Sequence, residues 1–312
     1  MTAAAPVVLD VRNLRAYLYT RWGVVRAVDG VSFALREGET LGLVGESGCG
    51  KTMTGLSLVR LLPEPAGRIV EGQVLLEGED LVTKSEAEMR RIRGRRVSMI
   101  LQDPQTSLNP VFTIGDQILE ALRRVKVAAP EQRMRAYPHQ MSGGMKQRVV
   151  GAIAVAGEPR VLIADEPTTA LDVTIQLQYL ALLKEIQART RLAMLFITHD
   201  FGIVARMCDR VAVMYAGRIV ETGPTRAIFR APRHPYTEAL MGSVPRMEGT
   251  VTRLPSIEGQ PPPLHDLPGG CRFAARCAYV DDRCRREYPP TVPIGPAHGA
   301  ACWRVEPSPS SR

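Results

Sequence analysis

Short apolar runs punctuate this chain at intervals, and polar, helix-period stretches separate them. VVLDVRNL (7–14) and VDGVSFAL (28–35) alternate partially and predict two short strands near the N-terminus. TLGLV, VSMI, VLIAD and AMLFI are continuous apolar runs, the pattern of strands buried on both faces. KTMTGLSLVRLL predicts a helix stopping before Pro63, and QLQYLALLKEIQAR predicts another. EGQVLLEGEDL predicts a hairpin turning near Gly78; SEAEMRRIRGRR and ILEALRR predict a charged and a short helix. Strands alternating with helices predict an α/β fold with a mostly parallel core sheet, flanking helices and an antiparallel N-terminal β portion.

The pattern changes near residue 240. HPYTEALMGSVP is followed by GQPPPLHDLPGG and then by closely spaced cysteines, with helical periodicity lost after about residue 243. We expect a main body over 1–240, with a short helical subdomain at about 103–150, and an irregular extension over 241–312.

GESGCGKT (45–52) follows the strand TLGLV directly and fits G-x-x-x-x-G-K-[ST] at every position. Gly45, Gly48 and Gly50 let the backbone curl so that the N–H groups of Glu46, Ser47, Cys49 and their neighbours face phosphate oxygens. The helix starting near Lys51 points its positive end at the same anion. Lys51 is placed to reach the β- and γ-phosphates, and the Thr52 hydroxyl to ligate Mg²⁺. Cys49 reads as a small filler.

VLIADEP ends a buried strand in two acids. Asp165 is the expected Mg²⁺ ligand, and Glu166 the expected base for the attacking water. Gln102 (MILQDP) and His199 (FITHD) also follow buried strands, and in a parallel sheet such positions share one ligand-binding edge. Gln102 would place water or complete Mg²⁺ coordination; His199 would hydrogen-bond the γ-phosphate. An aromatic for adenine is expected from Tyr17, Tyr19 or Trp22, with Tyr19 preferred.

Together these residues resemble the ATP-binding subunits of ABC transporters. MSGGMKQR (141–148) is similar to that family's L-S-G-G-Q signature: Ser142, Gly143 and Gly144 match, while Met141 and Met145 replace Leu and Gln. ALDVT matches the D-loop, with Asp172 as its acid. QDPQTSLNP, YPHQMSGGMKQR, DEPTTALDVT and HPYTEALMGSVP resemble the dipeptide and oligopeptide importer group more narrowly. The segment between Gln102 and Ser142 is shorter than the family's usual permease-contacting stretch.

The resemblance implies a P-loop NTPase core of ABC ATPase type. It also implies ATP hydrolysis with Mg²⁺, and ATP sandwiched between the P-loop of one subunit and the signature of another, identical or related. The implied partners are membrane permease subunits and, indirectly, an extracytoplasmic solute-binding protein. The implied place is peripheral, at the cytoplasmic face of the membrane. Import of nickel or another small solute is the alternative within transport. A ribosome- or DNA-directed ABC ATPase is the alternative outside it.

The bulk composition agrees with this. Charged residues make up 23% and the net charge is +8, suiting polyanionic partners. Aromatics are only 5%, too few for base-stacking platforms, so nucleic acid is not an expected partner. No apolar run approaches the ~20 residues that span a bilayer, and no signal peptide is recognised. A cytosolic chain is therefore expected, where disulfides are disfavoured.

Cys271, Cys277, Cys284 and Cys302 follow a C-x₅-C-x₆-C-x₁₇-C spacing, neither a zinc ribbon nor a ferredoxin pattern. Four thiols among arginines, in a segment with little apolar sequence, suit an iron–sulfur cluster, a zinc ion, or no metal at all. The resemblance to the peptide-importer group favours a [4Fe–4S] cluster. Cys208 reads as buried packing.

Overall fold

The computed structural model describes residues 5–102, 107–124, 137–140, 143–169, 171–243 and 257–307. Two sheets organise it. The larger has the strand order β11-β12-β10-β9-β3-β8-β7-β6. Its inner strands β3 (Thr40–Val44), β6 (Val97–Ile100), β7 (Val161–Asp165), β8 (Ala193–Ile197) and β9 (Arg210–Tyr215) are all parallel. Strands β10 (Arg218–Pro224), β11 (Val292–Gly295) and β12 (His298–Ala300) continue it antiparallel. The smaller, antiparallel sheet has the order β2-β1-β4-β5, from β1 (Val7–Thr20), β2 (Gly23–Arg36), β4 (Gly67–Leu76) and β5 (Glu79–Asp80).

The continuous apolar runs are continuous because both faces of the parallel strands are covered. Leu41, Leu43, Leu195, Ile197, Ala212 and Met214 point to one face and meet Leu9, Leu14 and Leu35 of the small sheet. Val44, Met194, Phe196, Val211 and Val213 point to the other and meet helix residues such as Tyr179, Leu180 and Val204. Each large apolar side chain taken out of water there contributes about 1.5–3 kcal/mol.

Three elements differ from their sequence pattern. The strands predicted at 7–14 and 28–35 run to Thr20 and start at Gly23, because their hairpin projects past the core and its outer residues are exposed. The helix predicted to run to Pro63 spans only Lys51–Leu58. Arg60 adopts a left-handed φ of 54°. The Arg93 guanidinium takes the end carbonyls of Val59 (2.7 Å) and Arg60 (2.9 Å), which a longer helix would use internally.

Of the expected helical subdomain, the helices Ile114–Arg124 and Gly143–Val155 are described, as is the short turn Pro138–Gln140 that lies between them in sequence. The C-terminal extension is mostly irregular. Its final hairpin, β11–β12, nevertheless joins the main sheet through Glu221↔Ala300 and Thr222↔Gly299. Among the described residues no helix is long and apolar enough to cross a membrane.

Candidate functional site

The parallel strands end on one edge, and the chemistry-bearing residues stand just beyond those ends. Gly45 follows β3, Gln102 lies two residues past β6, Glu166 follows β7 and His199 lies two residues past β8.

Gly45, Gly48 and Gly50 adopt φ of 153°, 78° and 110°. A Cβ at Gly45 would strike the Met214 carbonyl, and one at Gly50 the Ala27 carbonyl, so this loop is wedged between β9 and β2. Ser47 and Gly48 lie exposed at its rim. Lys51 is folded back inside the loop, its Nζ donating to the carbonyls of Gly45 (2.8 Å) and Glu46 (3.0 Å). Cys49 is buried, and burial raises its thiol pKa despite nearby Lys51, consistent with a filler.

Asp165 is 1% exposed, and neither carboxylate oxygen accepts a hydrogen bond. Burial pushes its pKa up to about 6; Glu166 adds to the rise, while Thr52 and Lys51 oppose it. Although Thr52 affects Asp165, no bond of good geometry joins them. A buried carboxylate without a donor, facing Thr52, is the donor set a hard divalent cation takes. The site therefore fits Mg²⁺.

Glu166 sits at a left-handed φ of 45°, its N–H held by the Ile197 carbonyl at 2.9 Å. Three side chains hold its carboxylate. Gln102 Nε2 donates at 3.0 Å, Thr169 Oγ1 donates at 3.1 Å, and His199 Nδ1 lies at 3.0 Å. Burial would raise the Glu166 pKa, but the His199 and Thr169 contacts and the Lys51 charge leave it lowered. It stays ionised, ready to accept a proton. The structure thus brings Gln102, Glu166 and His199 into one hydrogen-bonded group and adds Thr169, which sequence reasoning missed although it stands within DEPTTALD.

The other expected residues lie further along. Gly143 and Gly144 open the helix Gly143–Val155, and Gly144 faces Ile175. Ser142 lies outside the described residues. Asp172 caps the helix Val173–Thr190, accepting from the Ile175 N–H at 3.0 Å. Tyr19 is exposed near the tip of the β1–β2 hairpin, with Arg68 over its ring at 5.7 Å. Tyr17 instead donates its hydroxyl to buried Asp29 at 2.8 Å, and Trp22 stands in the hairpin turn under Arg21.

Cys271, Cys277, Cys284 and Cys302 all line one apolar-walled pocket together with Phe273 and Trp303. All four thiols are free. The Cys271 pKa is pushed up to about 11, chiefly by burial and further by the other three cysteines. Among the described residues, no three His, Cys, Asp or Glu side chains come close enough to hold a single metal ion. Cys208 is buried, as expected, against Gly42.

Sequence reasoning also missed two contacts of Glu46. Arg276 pairs with its carboxylate at 2.7 Å, and the Tyr236 hydroxyl accepts at 2.9 Å the Glu46 N–H that was expected to face phosphate. Nothing in the P-loop motif signals them, because their partners lie some two hundred residues away.

Comparison with known proteins places this geometry. The ABC transporter family profile matches residues 28–169, and that of the oligopeptide/dipeptide transporter C-terminal region matches residues 220–284. The probable peptide ABC transporter ATP-binding protein y4tR of Sinorhizobium fredii is 50% identical, over 96% of this chain and 96% of its own. The dipeptide transport ATP-binding protein DppD of Bacillus subtilis is 49% identical, over 95% and 94%. Among solved structures, the ADP- and Pi-bound dimeric ATP-binding cassette MJ0796 aligns with a TM-score of 0.58 at 23% identity, covering 70% of this chain and 99% of that one. The chain belongs to the ATP-binding family of ABC transporters, in the group that carries the oligopeptide/dipeptide transporter C-terminal region.

Proposed function

We propose that this chain binds and hydrolyses ATP to drive a membrane importer of dipeptides or oligopeptides. The observation that carries the reading is the Glu166 carboxylate, held in place by Gln102, Thr169 and His199 beside the P-loop and the unpartnered Asp165. Residues 45–52 cradle the triphosphate, and Lys51 exchanges its two loop carbonyls for phosphate oxygens. Thr52, Asp165 and Gln102 would hold Mg²⁺, which neutralises charge on the β- and γ-phosphates. Glu166 takes the proton of the attacking water, and His199 and Gln102 keep its carboxylate aimed. Tyr19 offers its face to adenine.

A second ATPase subunit, identical or related, contributes Ser142, Gly143 and Gly144 to the γ-phosphate, with Asp172 at the shared seam. Closure of the pair is passed to permease subunits, with a solute-binding protein delivering peptide from outside. The chain sits peripherally on the cytoplasmic face, with residues 1–240 as the ATPase body and 241–312 as its extension. The names of the relatives support peptide as the solute.

We further propose that Cys271, Cys277, Cys284 and Cys302 hold a [4Fe–4S] cluster with a structural or regulatory role. What supports this reading is four free thiols lining one pocket, in a segment with little apolar sequence of its own. Anaerobic purification with iron, sulfide and zinc assays tests this, and a folded protein without iron would overturn it.

The ATPase reading is tested with Glu166→Gln in the full chain assembled with its permeases. Turnover should be lost while ATP binding persists. Turnover at the wild-type rate would remove Glu166 as the base.

A further inference from the structure

The extension reaches the P-loop directly. Arg276, next to Cys277, forms a parallel two-bond pair with Glu46, the second residue of the P-loop: Nη1 to Oε2 at 2.7 Å and Nη2 to Oε1 at 3.0 Å. The Arg276 side chain is 4% exposed. Its remaining donors are used as well, by the carbonyls of Glu258 (3.0 Å) and Ile257 (3.2 Å) and by the Tyr215 hydroxyl (3.3 Å). The hydrogen bonds to Glu46 are the first cause of its raised pKa, with burial opposing them. All the donors of this guanidinium are thus engaged, and two of them hold the Glu46 carboxylate.

The Glu46 backbone is fixed from the same side. Its N–H donates to the Tyr236 hydroxyl at 2.9 Å, and Tyr236 is fully buried. Tyr236 packs its ring at a tilt against Phe273, centroids 5.4 Å apart, and Phe273 lines the thiol pocket. A second arginine repeats the design. Arg272, next to Cys271, donates to the Ala216 carbonyl and pairs with Asp29. The adjoining Gly217 N–H holds the Cys49 carbonyl at 2.8 Å, so the P-loop is gripped at both Glu46 and Cys49.

We propose that Arg276 is a positioning residue for nucleotide binding, through which the cysteine-lined module sets the shape of the P-loop and hence its affinity for ATP. The proposal rests on residues 45–52 being the ATP site. The N–H groups left to converge on phosphate belong to the loop residues between and beyond Glu46 and Cys49, whose own N–H groups are taken by the Tyr236 hydroxyl and the Glu46 carbonyl, so a loop released at those two pins has to be ordered again on binding. That ordering weakens affinity for every triphosphate state alike. It acts on Kd and KM and leaves the rate at saturation to Glu166. Because Arg272 and Arg276 are chain neighbours of Cys271 and Cys277, the state of the thiols is felt at the same place.

The test uses the anaerobically purified full chain, titrated with a fluorescent ATP analogue, and steady-state ATPase rates of the chain assembled with its permeases. Arg276→Gln should weaken ATP binding roughly tenfold, the scale of a lost two-bond charged pair. KM should rise in step while kcat stays within about twofold. Arg276→Lys, keeping charge but losing the two-bond geometry, should fall between wild type and Arg276→Gln. The double variant Arg276→Gln/Glu46→Gln should bind no more weakly than the weaker single variant. Cys277→Ser should weaken binding in the wild-type background and add nothing to Glu46→Gln.

Arg276→Gln binding ATP like wild type, or fully additive losses in the double variant, would overturn the proposal. If Arg276→Gln does not fold, Tyr236→Phe decides alone. It removes one hydroxyl and should weaken binding by about three- to fivefold, and unchanged binding would refute the clamp. A wild-type chain that bound no ATP would overturn the ATPase reading and this proposal together. A wild type that binds and hydrolyses beside an unaffected Arg276→Gln would overturn the clamp alone.

Discussion

Replacing Glu221 with Gln tests how the extension is anchored. Glu221 is 1% exposed on β10, between the ATPase body and the final hairpin. Its Oε1 accepts from the Arg233 N–H at 2.9 Å and lies 2.8 Å from His298 Nε2 of β12; its Oε2 accepts from the His234 N–H at 2.9 Å. An ionised carboxylate accepts at both oxygens, whereas a Gln amide accepts at one. With the amide oxygen at the Oε1 position, the NH₂ faces the His234 N–H; with it at Oε2, the NH₂ faces the Arg233 N–H. Either choice sets donor against donor in a buried place, at a cost of about 1–3 kcal/mol. For a chain this long that lowers the melting temperature by roughly 2–5 °C, measurable by differential scanning calorimetry at pH 7.5. Burial would raise the Glu221 pKa, but the His298, His234 and Arg233 hydrogen bonds outweigh it and leave it lowered. A lowered folded pKa gives stability that is full above the ordinary Glu value of about 4.3 and is lost below it. The gap between wild type and Glu221→Gln should therefore not close between pH 8 and pH 5, and should close only at more acid pH. A variant melting with wild type at pH 7.5, or a gap that closes near neutrality, would refute this account.

Two further substitutions probe the site itself. Gly45→Ala places a Cβ against the Met214 carbonyl and should abolish ATP binding. Gly48→Ala, with nothing within 4 Å, should leave the chain folded and cost only about 1–2 kcal/mol for its left-handed backbone; equal melting temperatures and equal ATP titrations for the two would contradict the packing described. Asp165→Asn should remove the Mg²⁺ dependence of ATP binding and yet raise the melting temperature of the nucleotide-free chain at pH 8. The Asp165 pKa lies raised at about 6, so its charge destabilises the fold above that pH, and the gain should fade as pH falls from 6 toward 4. A melting temperature below wild type at pH 8 would show that this carboxylate is not the isolated charge it is here taken to be.

The residues legible in the sequence are those whose chemistry is set by their immediate neighbours. A strand buried on both faces, a glycine curl and a helix start must be contiguous to place phosphate, so residues 40–52 announce themselves as one piece. Gln102, Glu166 and His199 are legible for a related reason. Each ends or follows a buried parallel strand, and parallel registers such as Asp165↔Ile197 and Ile100↔Ala164 carry those ends to one edge. The helix that stops at Leu58 was not legible, because what stops it is Arg93 arriving from another element. Neither was the hairpin that carries β1 to Thr20, since its outer half has no buried face to impose alternation.

The grip on Glu46 is the sharpest case. GESGCGKT reads as a complete phosphate cradle, yet its second residue is held by Arg276 and Tyr236, one from the cysteine segment and one from the helix Pro235–Gly242. Neither contact leaves a periodic or spaced trace, because a guanidinium meeting a carboxylate across a fold constrains no neighbour of either. A loop that must be both strained and exposed to its ligand is held by whatever packs behind it. In this chain that backing is Arg276 of the cysteine segment together with Tyr236 of the helix Pro235–Gly242.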